Sequence, residues 1–311
     1  MKFHPSQLFS TYSIVARDPE TGQLGVAVQT HQMCVGSVVP WLLPGVGAVA
    51  TQSLVNISFG PMALAMLMEG VSAPRVIEAL VATDTSAHQR QVAAIDANGE
   101  VGAFSGEGCI PEFGHHVGDQ YSVQANMMTR DTVITAMTDA YENADGDLAQ
   151  RMLASLVAAQ AEDGDIRGKQ SAALRVVSGD VSKPDWDTVY DLRVDEHDQP
   201  VEELARLVRL RHAQLTDFRG DQAMSAGNRD EALALWAEAR AEAPELEELA
   251  FWQAITLADG HADVSTAAEI LRPALADEPR REHWLDLIRR LQVCGLLERD
   301  NAADELIQAL G

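Results

Sequence analysis

The sequence predicts a layered α+β domain that is followed by an all-α helical-repeat module. Strand hairpins and pairs of helices alternate between residues 11 and 194, so we expect antiparallel sheets covered by helices. Beyond residue 200 the chain becomes alanine-rich and helical, which indicates a second domain. We therefore divide the 311 residues into an N-terminal extension (1–10), an α+β domain (11–194), a linker (195–200) and a helical module (201–311).

The strands of the first domain are predicted where apolar residues alternate or cluster between turn residues. Asp18–Gly22 and Ala97–Gly99 have the composition of tight turns, so each is expected to join two strands into a hairpin. The predicted strands cover residues 11–17, 23–30, 45–52, 91–96, 100–104, 121–126, 171–177 and 189–194.

Two pairs of helices separate these strands. The first helix begins at Pro61, and Ser72 is expected to cap the second, which has Pro74 in its first turn. The second pair is predicted over residues 131–143 and 147–162. Because the helices arrive in pairs between hairpins, the sheets are predicted to be largely antiparallel.

The last third of the chain contains a weak internal repeat at a spacing of 35 residues. The first copy consists of Ala232, Leu235, Trp236, Ala239 and Pro244, and the second of Ala267, Ile270, Leu271, Ala274 and Pro279. A period near 34 with small, large and proline positions is typical of tetratricopeptide-like helical hairpins. A plain helical bundle is the alternative. In either case the large apolar residues should pack between antiparallel helices.

Composition excludes several classes of function. The formal net charge is −24, with 23 basic and 47 acidic residues, which argues against general nucleic-acid or anionic-membrane binding. Cys34, Cys109 and Cys294 are odd in number and widely spaced, so a disulfide framework is not expected and a reducing compartment fits best. Residues 1–10 lack a signal-peptide core, and the most apolar window, 38–50, is too short to span a bilayer. These features predict a cytoplasmic protein.

Two polar segments lie at the starts of predicted strands. Asp163–Ser171 is a glycine-punctuated loop that leads into an apolar strand, and Ser10–Asp18 places hydroxyl groups at the start of an alternating strand. Together they resemble a bacterial family, domain of unknown function 1028, whose members are similar to the run from Thr11 to Pro19. The resemblance extends from Thr11 to about Val201. It implies the four-layer αββα sandwich of the N-terminal-nucleophile (Ntn) hydrolases and amide hydrolysis, without naming a substrate.

The resemblance implies that Thr11 is the nucleophile of such a site. An Ntn nucleophile must be the first residue of the mature chain, because its own α-amino group, with a pKa near 8, takes the side-chain proton. This chemistry therefore requires cleavage after Ser10. Ser13 lies on the same strand face and is the second candidate. The alternative is that Thr11 is only a β-branched residue that starts a strand.

The loop before the strand at Ser171 supplies the other expected catalytic groups. A helix, a loop with an aspartate and a strand follow one another as in proteasome-type Ntn enzymes, so the resemblance implies that Asp165 orients the amine and Ser171 carries a proton. Arg167 and Gln170 are assigned to substrate binding. The planar guanidinium of Arg167 presents a fork of N–H donors that suits a carboxylate. The alternative is a structural turn in which Arg167 pairs with Asp163 or Asp165.

Further candidates lie at other strand ends. Proteasome-like Ntn enzymes also use a lysine on an inner strand, but no lysine occurs between Thr11 and Gln52. His31 is the candidate for a base in its place, and the alternative is that it is only a polar residue at a strand end. The amides of Gln52, Asn56 and Asn126 are candidates for an oxyanion hole or for substrate binding. They are equally suited to satisfying loop backbone groups.

The sequence gives little reason to expect a metal or a cofactor. His115 and His116 are adjacent, but no carboxylate or cysteine stands beside them at ligand spacing. We find no P-loop and no dinucleotide-binding glycine fingerprint.

The function that these features favour is an Ntn-type amidohydrolase that acts on a small amide or a modified amino-acid derivative. The rival is a catalytically silent small-molecule-binding protein whose helical module docks a protein partner. A homo-oligomer is compatible with both hypotheses.

Overall fold

The computed structural model describes residues 8–9, 11–276 and 278–311, and only the backbone of residues 8, 9, 278 and 279. The predicted cleavage position at Ser10 lies outside the described residues. The chain divides into two units, residues 1–208 and 209–311. Their boundary lies C-terminal to the predicted linker, because one continuous helix runs from Pro200 to Ser225.

The first unit contains two antiparallel sheets. The strands are β1 (Leu8–Phe9), β2 (Thr11–Arg17), β3 (Leu24–Thr30), β4 (Pro40–Leu43), β5 (Gly47–Leu54), β6 (Arg90–Asp96), β7 (Val101–Ser105), β8 (Gly114–Gly118), β9 (Tyr121–Asn126), β10 (Ser171–Val177) and β11 (Thr188–Val194). One sheet has six strands in the order β11-β10-β3-β2-β9-β8. The other has five, in the order β1-β5-β6-β7, with β4 also paired to β5. The prediction of antiparallel sheets is confirmed.

The eight predicted strands are all present, with ends that differ by at most two residues. Three further strands, β1, β4 and β8, were not predicted. β8 reads Gly-His-His-Val-Gly and has no apolar alternation to mark it. β4 begins at Pro40 within an apolar window that prolines and glycines interrupt, so its pattern does not indicate a strand.

Five helices belong wholly or partly to this unit: α1 (Phe59–Met68), α2 (Ala73–Thr83), α3 (Val133–Asn143), α4 (Leu148–Ala161) and α5 (Pro200–Ser225). α1 and α2 pack on the five-stranded sheet, where Phe59, Leu67 and Leu80 share a hydrophobic cluster with Val49 and Val92. α3 and α4 pack on the six-stranded sheet.

The start of α2 differs from the prediction. Ser72 occupies the N-cap position, but its side chain makes no capping hydrogen bond. The backbone N–H of Ala73 instead donates to Oδ2 of Asp96 at 3.0 Å. A carboxylate from the end of β6 therefore satisfies the helix terminus that Ser72 was expected to satisfy.

The inner faces of the two sheets share one hydrophobic cluster. Val15 and Val28 enter it from the six-stranded sheet, and Ala48, Ala50 and Ala93 enter it from the five-stranded sheet. The alanines of the second sheet leave room for the two backbones to approach closely at those positions.

The second unit is helical. After the end of α5 it contains α6 (Arg229–Glu242), α7 (Glu247–Gly260), α8 (Val264–Leu271), α9 (Glu278–Val293) and α10 (Ala302–Leu310). Trp236 of α6 and Leu271 of α8, which the sequence repeat pairs, are both fully buried in one cluster. Leu235 and Ile270 are partly buried against the same cluster. The tetratricopeptide-like assignment stays a prediction.

Candidate functional site

Four polar residues form a row at one end of the six-stranded sheet. Thr11, the first residue of β2, pairs with Thr30 of β3 on one side and with Asn126 of β9 on the other. Thr30 in turn pairs with Ser171, the first residue of β10. Residues directly opposite each other in neighbouring strands point to the same face of a sheet. The four side chains therefore lie side by side across neighbouring strands.

This row faces the other sheet. Val15, four residues beyond Thr11 in β2, belongs to the cluster shared by the two sheets. Alternation along the strand places Thr11 and Ser13 on the same face as Val15. The polar row thus lies at the edge of the interior between the sheets.

The hydroxyl of Thr11 is unusual. The residue is 0% exposed, and its Oγ1 is buried without a hydrogen-bond partner. Buried polar groups without partners are rare, because each costs free energy. The carbonyl oxygen of Thr11 accepts hydrogen bonds from Gln52 Nε2 at 3.3 Å and from Asn126 Nδ2 at 3.5 Å. Two side-chain amides therefore donate to the carbonyl of Thr11, whereas its hydroxyl makes no hydrogen bond.

Two described residues before Thr11 pair with the other sheet. Leu8 pairs with Leu54 of β5, and Phe9 pairs with Ser53. The chain therefore passes from the five-stranded sheet to the six-stranded sheet between Phe9 and Thr11. In this intact chain the nitrogen of Thr11 is a peptide nitrogen and has no basicity.

Ser13 belongs to a buried network of amides. Its Oγ donates to Gln52 Oε1 at 2.6 Å and accepts from Gln124 Nε2 at 2.6 Å. Both capacities of the hydroxyl are thus used by neutral amides. These contacts give Ser13 no base that would activate it as a nucleophile.

Asp165 is held by a bidentate ion pair. Its side chain is 0% exposed and accepts from Arg167 Nε at 3.2 Å and from Arg167 Nη2 at 3.0 Å. The backbone N–H groups of His31 and Arg167 each donate to it at 2.9 Å. Arg167 Nη2 also lies 3.5 Å from Thr30 Oγ1. The ion pair of Arg167 and Asp165 therefore extends to Thr30, which lies beside Thr11 in the sheet. It is also the pairing that the structural-turn alternative describes.

Tyr12 lies on the opposite face of the sheet from Thr11, and its hydroxyl interacts electrostatically with Asp165. The pKa of the Tyr12 hydroxyl is raised well above its ordinary value of 10.0. Burial is the larger cause, and the negative charge of Asp165 is the smaller one. The hydroxyl donates to Gln160 Oε1 of α4 at 3.1 Å. Tyr12 therefore stays a neutral donor that helps to hold the helix against β2.

Ser171 and Gln170 hold the loop that follows β3. Ser171 Oγ donates to the carbonyl of Gln32 and accepts from the N–H of Val35 at 3.1 Å. The N–H of Gln170 donates to the carbonyl of Thr30 at 3.2 Å. His31 lies in the same loop, with its Nδ1 3.3 Å from the carbonyl of Lys169. These contacts give Ser171 a clear structural role beside any chemical one.

Asn56 lies in a different hydrogen-bonded group. Its Oδ1 accepts from the N–H of Ser58 at 3.2 Å, and its Nδ2 is 3.5 Å from Oδ2 of Asp84. Asp84 forms an ion pair with Arg90 at 2.8 Å. These contacts fit the loop-satisfying alternative, and they do not support the predicted role of Asn56 in substrate binding.

Gln91 is the central residue that the sequence analysis missed. Its Oε1 accepts from Gln52 Nε2 and from Asn126 Nδ2, both at 2.8 Å. These are the two amides that also donate to Thr11. The only sequence signal was a glutamine at the start of an apolar strand, which does not reveal its partners.

Three residues with left-handed backbone lie beside these residues. Ser53 follows Gln52 with a φ of 69°, and Met127 follows Asn126 with a φ of 58°. Asp163, two positions before Asp165, has a φ of 67°. Residues other than glycine rarely adopt this conformation, and such strain is typically found at functional sites.

Within residues 11–276 and 278–311, no three histidine, cysteine, aspartate or glutamate side chains come together as a group able to hold a metal ion. None of the helices described is long and apolar enough to cross a membrane.

Comparison with known proteins identifies relatives of the first unit. The family described as "Family of unknown function (DUF1028)" matches residues 11–204. The crystal structure of protein SPO2555 from Silicibacter pomeroyi, which carries the same family assignment, is 31% identical, with a TM-score of 0.58 over 64% of this chain and 88% of that chain. Anbu (ancestral beta-subunit) from Yersinia bercovieri covers 63% of this chain and 91% of its own at 10% identity. Its TM-score of 0.34 is too low to support an argument. No curated protein matches the chain.

Proposed function

The chain belongs to the DUF1028 family, and we propose that it is an Ntn-type amidohydrolase that acts on a small amide or a modified amino-acid derivative. The observation that carries the proposal is the hydroxyl of Thr11, which is buried without a hydrogen-bond partner at the start of β2. A threonine with only a structural role would be expected to pair its hydroxyl or to be replaced by valine.

The proposal includes the architecture that such a site requires. We assign residues 11–194 to a four-layer αββα sandwich, supported by the cluster shared between the sheets and by the helices packed on each sheet. We assign residues 201–311 to a tetratricopeptide-like module, supported by α6 and α8, which begin 35 residues apart at Arg229 and Val264. The domain boundaries are part of the same proposal.

Maturation is the first chemical step. Thr11 Oγ1 attacks the carbonyl carbon of Ser10, and the acyl group moves from the Thr11 nitrogen to its oxygen as an ester. Water then hydrolyses the ester, which releases a carboxylate at Ser10 and leaves Thr11 with a free α-amine. The net change is hydrolysis of one peptide bond. An unpaired hydroxyl is available for this attack without first breaking a hydrogen bond.

The freed amine then serves as the base for substrate hydrolysis. With a pKa of about 8 it accepts the proton of Thr11 Oγ1 as that oxygen attacks the substrate amide. The same proton passes to the leaving amine, and water hydrolyses the resulting ester. Gln52 and Asn126 donate to the carbonyl of Thr11 in the intact chain, and in this proposal they turn to the oxyanion when substrate binds.

Asp165 and Arg167 have distinct proposed roles. Asp165 is buried and fixes the guanidinium by two hydrogen bonds. The side chain of Arg167 remains 26% exposed, so a substrate carboxylate is able to approach the guanidinium from solvent. In this proposal Ser171 and His31 position the loop, and Arg167 selects substrates that carry an acidic group.

The bonding around Asp165 also favours a second candidate function. In the intact chain the carboxylate is saturated by Arg167 and two backbone N–H groups, and Thr11 has no free amine. An uncleaved protein would therefore bind a small molecule without hydrolysing it. The helical module would then dock a protein partner.

The proposed cytoplasmic location rests on the free cysteines Cys34, Cys109 and Cys294.

Release of amine from a panel of amino-acid amides and N-acyl amino acids tests the hydrolase proposal. The full chain should release amine, Thr11→Ser should retain the activity, and Thr11→Ala should lose it. Thr21→Ala, in the exposed turn between β2 and β3, is the matched control. Equal release by wild type and Thr11→Ala would contradict the proposal. Saturable binding without release in both proteins would instead favour the binding function.

A further inference from the structure

A serine and a histidine meet where the edges of the two sheets approach each other. Ser105 is the last residue of β7, which is the edge strand of the five-stranded sheet. His115 is in β8, which is the edge strand of the six-stranded sheet. Ser105 Oγ lies 2.9 Å from Nδ1 of His115. This distance is within the range of a nucleophile and its general base.

The neighbours of this hydrogen bond favour one direction. Gln91 Oε1 accepts from two amides, so Gln91 Nε2 is the donor to Ser105 Oγ at 2.7 Å. When Ser105 Oγ accepts from Gln91, its own hydrogen is free to point to Nδ1 of His115. This direction corresponds to the neutral tautomer of His115 that carries its proton on Nε2.

The environment of His115 favours this neutral form. Burial, followed by the charge of neighbouring His116, lowers the pKa of His115 from its ordinary value of 6.5. A neutral imidazole at neutral pH is able to accept the serine proton.

An apolar groove leads to the pair. It has a volume of about 400 Å³, and its lining includes Ile77 and Val81 of α2, Ala103 and Phe104 of β7 and Val117 of β8. Ala103 and Val117 lie two residues from Ser105 and His115, respectively, on the same strand faces. The groove therefore comes within two residues of the serine and of the histidine along their strands.

We propose that Ser105 and His115 form a second acyl-transfer site, which hydrolyses carboxylic esters that have a short apolar acyl group. The groove along β7 and β8 holds the acyl chain. This activity is separate from the amide hydrolysis proposed for Thr11 and does not depend on cleavage of the chain.

The reaction runs in two balanced steps. Ser105 Oγ attacks the ester carbonyl carbon while its proton moves to Nδ1 of His115. The bond to the leaving alcohol breaks as His115 returns that proton to the departing oxygen, which leaves an acyl-serine. Water then attacks the acyl group and gives a proton to His115, and His115 passes it to Ser105 Oγ as the acid leaves.

Hydrolysis of p-nitrophenyl butyrate by the full chain tests the proposal. We expect turnover above the buffer rate, and a loss of about 100-fold or more in Ser105→Ala and in His115→Ala, as for removal of a nucleophile or general base. Ser58→Ala is the matched control, because Ser58 is exposed and its side chain makes no helix-capping hydrogen bond. Circular dichroism checks that each variant is folded.

A fluorophosphonate probe gives a second readout on the unmodified chain. Mass spectrometry of the labelled protein should place the adduct on Ser105, and His115→Gln should slow its formation. Turnover that survives in folded Ser105→Ala, an adduct on Thr11 or Ser13, or no adduct at all would overturn the proposal. The labelling result decides the matter if Ser105→Ala does not fold.

Discussion

At the scale of single residues, two aspartates two positions apart have very different surroundings. The side chain of Asp165 is 0% exposed and pairs with Arg167, whereas that of Asp163 is 59% exposed and pairs with Arg130. The carboxylate of Asp165 also accepts from the N–H of His31, directly after β3, and from the N–H of Arg167 in its own loop. Asp165 should therefore contribute to stability as well as to the site.

We expect Asp165→Asn to lower the free energy of unfolding by about 3 kcal/mol, because it removes one partner of a buried ion pair. Asp163→Asn is the matched control and should cost less than about 1 kcal/mol, as is usual for exposed pairs. Urea unfolding of the two variants measures the difference. Equal costs would show that Arg167 does not depend on Asp165 for its charge partner.

A second prediction concerns His115 and pH. Its pKa is lowered from 6.5, chiefly by burial, so the unfolded chain binds a proton more readily than the folded chain. The free energy of unfolding contributed by this group is fully present above pH 6.5, and it is lost as the pH falls through the lowered pKa. His115→Gln should therefore lose less stability than wild type on acidification, by a small amount because the side chain of His115 is only partly shielded from water.

Urea unfolding between about pH 7.5 and about pH 5 measures this dependence, since the range brackets the ordinary histidine pKa. His261→Gln, which replaces an exposed histidine of the helical unit, is the matched control. A steeper loss in His115→Gln than in wild type would show that the sign is wrong.

Much of the candidate site was visible in the sequence as residue types, but not as contacts. Thr11, Asp165 and Ser171 were chosen because the segments that contain them resemble a known family and place polar groups at the starts of strands. The pairing of Arg167 with Asp165 was one of two alternatives for the same turn. Gln91 could not be assigned, since its partners lie on strands far apart in the sequence and only the register brings them together.

At the scale of elements, strands with apolar alternation were predicted closely. β2, β9 and β10 begin and end at the predicted residues. β8 was missed because its stability comes from pairing with β9 and not from its own composition. The hairpin of β8 and β9 nevertheless brings His115 to Ser105, so a missed strand changed what could be inferred about function.

Trp236 tests the packing of the helical elements. It is fully buried, its Nε1 donates to Asp221 at 3.1 Å, and α5 approaches it closely at Gly220. Trp236→Ala should cost about 3–5 kcal/mol, because it removes a large buried ring and leaves a cavity. Trp252→Ala should cost much less, since Trp252 is 42% exposed. Thermal unfolding compares them, and similar costs would contradict this packing.

At the scale of the whole molecule, each of the two units has its own hydrophobic clusters. Phe59, Leu80 and Val92 belong to a cluster of the first unit, whereas Trp236 and Leu271 belong to a cluster of the second. We expect calorimetry of the full chain to show two unfolding transitions, and a fragment that ends at Val208 to retain one of them. A single transition, or aggregation of the fragment, would show that the helical unit is required for the first unit to fold.

The central claim is that Thr11 becomes the N-terminal residue of the active protein. The intact mass of the purified full-length chain, followed over prolonged incubation, tests this most directly. The account predicts a species that begins at Thr11 and lacks residues 1–10, and predicts that Thr11→Ala stays at full length. Wild-type protein that stays at full length while it hydrolyses an amide would contradict it, since the peptide nitrogen of Thr11 cannot act as the base.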